Sequence, residues 1–256
     1  MEFRSFLGTL LVLFALLVLG INGFNHYREK QLIKELRTKM QIEEMRIDTQ
    51  MSESKDINPE QSGEGAMLLK FEQLFIENND LVGWIRIPGT TVDYPVLQFI
   101  DNDYYLNKDY HGNKSKAGSV FMDYRNSSDA KGFNTILYAH HMANGFMFGD
   151  LIKYKDEKFF IEHPTINFDV LNREWEWEIF SVYVTDVGFY YIDTNFPTKE
   201  KKLDFIKSIR ERSMFESDVH VGTEDHILTL STCTYEFDNA RFVVHAKRID
   251  HQTSQK

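Results

Sequence analysis

Cys233 is the only cysteine in 256 residues, and it ends the apolar, β-branched run ILTLSTC. A thiol attacks as its thiolate, and a fixed cation nearby favours that form. Arg241 opens a second alternating run eight residues later, within reach across a hairpin-like return. A lone cysteine at a strand end is more often a small buried hydrophobe than a catalyst. A second stretch shifts that weighting. Residues 134–141, NTILYAHH, read as another apolar strand ending in titratable side chains. A cysteine nucleophile needs such a proton carrier near it in space, not in sequence.

The elements that must position these residues follow from periodicity. Strand side chains alternate, so Thr229, Ser231 and Cys233 share one face of their strand, and Leu228 and Leu230 share the other. Upstream, residues 67–78 carry a helical apolar stripe, and 82–96 form two short strands broken at Pro88-Gly89. Residues 101–113 are a loop with a helical turn, 119–123 and 134–139 are strands, and 146–162 form one broken or two short helices. A hairpin spans 165–171 and 174–187, with Trp175 and Trp177 on one face as packing residues. Residues 198–214 make a charged amphipathic helix with Leu203, Ile206 and Ile209 inward. About eight short strands with interspersed helices predict a mostly β fold, a mixed and mainly antiparallel barrel.

Composition excludes several functions. The hydrophobic fraction is 42% and the aromatic fraction 14%, enough for a packed core. Residues 51–256 hold 22 Lys/Arg against 33 Asp/Glu, an acidic balance that repels a phosphate backbone, so no nucleic acid is expected as a partner. One cysteine excludes an intramolecular disulfide. The sequence contains no P-loop, dinucleotide fingerprint or metal-ligand spacing, so no cofactor and no metal are expected.

The first quarter of the chain reads as an anchor and a spacer. Residues 1–5 are a short tail, and residues 6–24, FLGTLLVLFALLVLGINGF, carry no charge and are long enough to cross a bilayer as a helix. A spacer follows directly, which favours an uncleaved anchor over a signal peptide. Residues 25–66 are expected to be a solvated helical stalk, with Leu32, Leu36 and Met40 at fourfold spacing, and a polar linker from Ser52 to Ala66. The remaining unit, 67–256, is the expected catalytic domain.

TLSTC, with Arg241 after it and YAHH upstream, resembles the sortases, the membrane-anchored cysteine transpeptidases of Gram-positive bacteria. The similarity covers roughly residues 67–250. WIRIPGT, GSVFMDYRN and the helix at 198–214 look like class B. The resemblance implies an eight-stranded sortase-type β-barrel, one membrane anchor and a catalytic domain on the extracellular side. The orientation rests on that resemblance, because the cations flanking 6–24 favour the opposite one. By position, Cys233 corresponds to the nucleophile, His140 to the catalytic histidine and Arg241 to the catalytic arginine. His141 is the alternative histidine. His245 shares the Arg241 face, where a satisfied structural role is expected. The family usually has glycine where this chain has Ala139, and a positive φ there would strain alanine. The implied partners are surface proteins carrying a C-terminal sorting signal and a peptidoglycan-precursor amine. A cysteine peptidase acting by hydrolysis, or a tethered barrel that binds peptide or cell wall without chemistry, are the alternatives.

Overall fold

Runs with a two-residue apolar period build eight strands, and the chain closes them on themselves. The computed structural model describes residues 2–53, 66–233 and 239–249; within these, the side chains of residues 2–12, 22, 51, 53 and 233 lie outside the description. The strands are β1 (Leu81–Arg86), β2 (Asp93–Leu97), β3 (Val120–Met122), β4 (Asn134–Tyr138), β5 (Thr165–Val170), β6 (Glu176–Thr185), β7 (Ile227–Cys233) and β8 (Arg241–Ile249). They close in the order β1-β2-β3-β4-β7-β8-β6-β5. Two neighbouring pairs, β2–β3 and β4–β7, are parallel, and the rest are antiparallel. Among the described residues, closure leaves no open sheet edge. The Pro88-Gly89 break is the β1–β2 turn. Gly89 has φ +78°, and a Cβ there would lie 2.6 Å from the His163 ring, so both the turn and the packing demand glycine.

Inward-facing residues of β7 and β8, among them Leu228, Leu230, Phe242 and Val244, are fully buried in the main core. On the outward face of these strands Thr229, Ser231, Val243 and His245 are buried as well, although the sequence suggests a polar face. The helices are α1 (Glu2–Glu53), α2 (Glu72–Glu77), α3 (Glu157–Glu162) and α4 (Lys199–Glu211). Thr198 caps α4 by accepting from the Lys201 amide. Phe205, Ile206 and Ile209 of α4 pack with Phe180, Tyr183, Ile227 and Val243 into a second core outside the barrel. Leu203, expected on the inner face, is 53% exposed, and Phe205 takes its place. Trp177 is fully buried, whereas Trp175 is half-buried with the Arg248 guanidinium 4.1 Å from its ring.

The N-terminal helix departs most from expectation. Residues 27–51 were expected to be solvated, but α1 lies along the barrel. Leu36 and Met40, from the fourfold stripe, are buried together with Ile33. Arg37 donates to the Asp93 and Thr91 carbonyls, Lys39 pairs with Glu77 at 2.7 Å, and Glu44 pairs with Arg86 at 2.8 Å. An apolar stripe flanked by charges is what a docked helix and a coiled-coil stalk share, and the partner surface decides between them. Among the described residues, no helix is long and apolar enough to cross a membrane. The span expected at 6–24 runs partly through side chains outside the description, and most of the expected linker, residues 54–65, lies outside it too. Leu36→Ala should cost about 2–5 kcal/mol of unfolding free energy in a denaturant titration. Leu203→Ala, on the exposed face of α4, should stay within about 0.5 kcal/mol of wild type.

Candidate active site

Strand register alone brings the three candidate catalytic positions to one end of β7. β8 runs antiparallel to β7 and pairs Arg241 with Cys233. On the other side, β4 runs parallel to β7 and pairs Tyr138 with Ser231, and the Ala139 amide donates to the Ser231 carbonyl at 3.4 Å. Two further residues carry the chain to His140, level with Cys233. The side chain of Cys233 lies outside the described residues, as do residues 234–238 of the β7–β8 connection. Ala139 is not among the described non-glycine residues with positive φ, so alanine before His140 is unstrained. Its methyl group is buried.

His140 is half-buried, and its Nε2 lies 2.8 Å from the Leu106 carbonyl. A carbonyl only accepts, so Nε2 carries the proton and Nδ1 is the nitrogen left for exchange. The His140 carbonyl accepts from the Phe148 amide, which ties down the chain beyond the histidine. Arg241 is half-buried, and its Nη1 donates to the Ala240 carbonyl at 3.1 Å. Both side chains line a groove of about 490 Å³ with Leu106, Tyr138, Tyr191 and Ile192. A larger cleft of about 690 Å³ lies between α1 and residues 109–116, away from the end of β7.

The groove's far wall, residues 187–192, is held from beneath. The Tyr191 hydroxyl lies 2.7 Å from Ser231 Oγ. Asn134 Nδ2 donates to the Tyr191 and Asp193 carbonyls. Arg125 donates to the Tyr190 hydroxyl and the Ile192 carbonyl, both at 3.0 Å.

The family model of the sortase domain matches residues 85–249. The chain belongs to the sortase family. Sortase B of Listeria monocytogenes is 38% identical over 253 residues, spanning 97% of this chain and 99% of its own length. A Bacillus anthracis crystal structure described as similar to sortase B matches with a TM-score of 0.76 and 39% identity, over 88% of this chain and 98% of that one. A Staphylococcus aureus sortase B–substrate complex matches with a TM-score of 0.76 and 34% identity, over 89% and 99%. These relatives place the chain with class B, and the eight-stranded barrel is theirs too.

Within this sortase barrel, His141 sits one residue beyond His140 and forms an isolated bridge with Met147, while His140 is the histidine that lines the groove. His245 is fully buried on the outward face of β8. Its Nε2 lies 2.7 Å from the Tyr183 hydroxyl and its Nδ1 2.9 Å from Thr229 Oγ1. Thr229 spends its hydroxyl proton on Asn134 Oδ1, so His245 Nδ1–H donates to Thr229 and Nε2 accepts from Tyr183. The neutral imidazole is thus fully satisfied, in the structural role expected for it.

Sequence reasoning missed Asp123, Arg125 and Asn134 as residues that hold the groove. An acid followed two residues later by arginine, within a polar turn after an apolar strand, was the available signal.

Burial pushes the His245 imidazole down to about 3. The unfolded chain takes up a proton near pH 6.5 and the native state does not, so this histidine's contribution is present above pH 6.5 and is lost as pH falls from there towards 3. His245→Gln should flatten the loss of unfolding free energy between pH 6.5 and 4 by up to ~1.4 kcal/mol per pH unit, measured by denaturant titration at each pH.

Proposed function

We propose that the chain is a cysteine transpeptidase that cleaves a sorting signal on a surface protein and joins that protein to a cell-wall amine. The carrying observation is the register that sets Arg241 opposite Cys233, with His140 level on the other side, at one end of an open groove in a barrel of the sortase family. The relative crystallised as a substrate complex supports a peptide in that groove.

The chemistry assigns each residue one task. The Cys233 thiolate attacks the carbonyl carbon of the motif threonine, forming a tetrahedral intermediate. The Arg241 guanidinium donates to the developing oxyanion, with fixed planar donors that lysine cannot reproduce. Collapse breaks the peptide bond, and His140 gives the departing amine its proton from Nδ1, Nε2 being held by the Leu106 carbonyl. A thioester remains on Cys233. The incoming amine attacks it, His140 takes the amine's proton at Nδ1, and the sulfur leaves as the Cys233 thiolate, so the starting thiolate and protonated His140 are both restored. Splitting one acyl transfer into two lowers each barrier, and the half-open groove admits the second substrate after the first product leaves.

In this reading the uncharged stretch 6–24 anchors the chain in the membrane with the barrel on the outer side, where sorting signals and cell-wall precursors meet. α1 contains that stretch and runs on beyond it to dock on the barrel, so it holds the domain close to the bilayer surface instead of on a free tether.

Intact mass measurement of the chain with sorting-signal peptides, with and without a cell-wall-like amine, tests the reading. An adduct on Cys233 that converts to amine-linked product is the expected result, and Cys233→Ala should give neither. Arg241→Ala should lower turnover by about 10²-fold or more, as loss of an oxyanion donor does. Product formed only by hydrolysis at saturating amine would make the enzyme a peptidase. A thiol inert to both peptide and a small alkylating agent would leave a binding barrel without chemistry.

A further inference from the structure

Asp123 follows β3 and is fully buried, yet it lines no part of the groove. A buried carboxylate is costly unless its oxygens are saturated with donors. Here Oδ1 accepts from the Arg125 amide and Nε, at 2.9 and 2.8 Å. Oδ2 accepts from Arg125 Nη2 at 2.7 Å, the Tyr138 hydroxyl at 2.9 Å and Asn102 Nδ2 at 3.0 Å. Burial alone would push this carboxyl up, but the bonds from Arg125 and Tyr138 outweigh it and hold the group below its ordinary range.

The donors come from separate segments of the chain. Tyr138 stands two residues before His140, and Asn102 lies on the loop before the Leu106 segment; both line the groove. Arg125, locked against Asp123, extends Nη1 to the Tyr190 hydroxyl and Nη2 to the Ile192 carbonyl on the far wall. One carboxylate and one guanidinium therefore connect three separate segments that line the groove. The bond from the Arg125 amide to Asp123 would be enough to form the local turn, and it does not explain why the side chain spans to residues 190 and 192.

We propose that Asp123 and Arg125 are a positioning pair that sets the width of the substrate groove without touching the substrate. The kinetic part of this proposal rests on the transpeptidase reading; the structural part does not. Lysine at position 125 keeps a cation beside Asp123 but has one nitrogen and cannot reach Tyr190 and Ile192 together. In the full chain, Arg125→Lys should raise KM for a sorting peptide about ten-fold, as expected for losing a pair of hydrogen bonds, and leave kcat within about two-fold. The rate of Cys233 alkylation by iodoacetamide should not change. Amide hydrogen exchange should quicken at residues 187–192 and stay as in wild type along β4 and β7.

Wild-type KM and wild-type exchange at 187–192 in Arg125→Lys would overturn the proposal. So would a joint fall of kcat, alkylation rate and melting temperature, which marks a general structural role. If the wild-type chain turns over no peptide, the proposed function fails and the exchange measurement alone decides the positioning role: quickened exchange confined to 187–192 supports it, and unchanged exchange rejects it.

Discussion

The placement of β7 between a parallel and an antiparallel neighbour is the constraint on which the site depends. A one-residue slip in either pairing would turn the neighbouring strand's side chains to the opposite face. Register on this scale is set where both faces of a strand are buried, and here they are. Leu228 and Leu230 fill the barrel, while Thr229 and Ser231 are enclosed by the outer layer of α4 and the 187–192 wall. The candidate site is thus held in place by apolar packing along the strand.

Burial of the outer face brings polar groups into the interior, and the chain satisfies them in sequence. Tyr183 donates to His245, His245 to Thr229, Thr229 to Asn134, and Asn134 to the carbonyls of residues 191 and 193. This directional chain crosses four strands and ends on the groove wall. Oriented polar networks of this kind specify one arrangement, because any rotation leaves a buried donor or acceptor unpaired. The Asp123–Arg125 pair does the same from the β3 side. The groove is therefore fixed by two independent networks, each rooted in the barrel.

The docked N-terminal helix belongs to the same economy of support. His26 meets Asn144 at 3.1 Å and packs edge-on to Phe146, in the segment that follows His140. Arg37 reaches the β1–β2 turn, whose Thr91 in turn donates to the Gly145 carbonyl. The segment leaving the histidine is thereby braced from the helix and from the barrel together.

Local pattern was enough for the strands, the two helical segments between 146 and 162 and α4, because alternation and turn residues are properties of neighbouring residues, whereas the candidate triad Cys233, His140 and Arg241 came from resemblance to a family. The stripe on α1 was legible too, but its partner was not: the same spacing suits solvent, a coiled coil or a barrel wall, and only the fold supplies the surface. Leu203 and Phe205 exchanged roles for a similar reason: they flank the Ile206–Ile209 stripe on opposite sides, and which flank turns inward is decided by the surface the helix packs on. For the groove-holding residues Asp123, Arg125 and Asn134, the sequence offered a local turn signal at 123–125 but not the distant partners they hold. Their work depends on partners up to 95 positions away, as between Asn134 and Thr229. Separation along the chain carries no information about such pairs. Their meeting is decided by strand order and closure of the barrel, which appear only once the whole chain has folded.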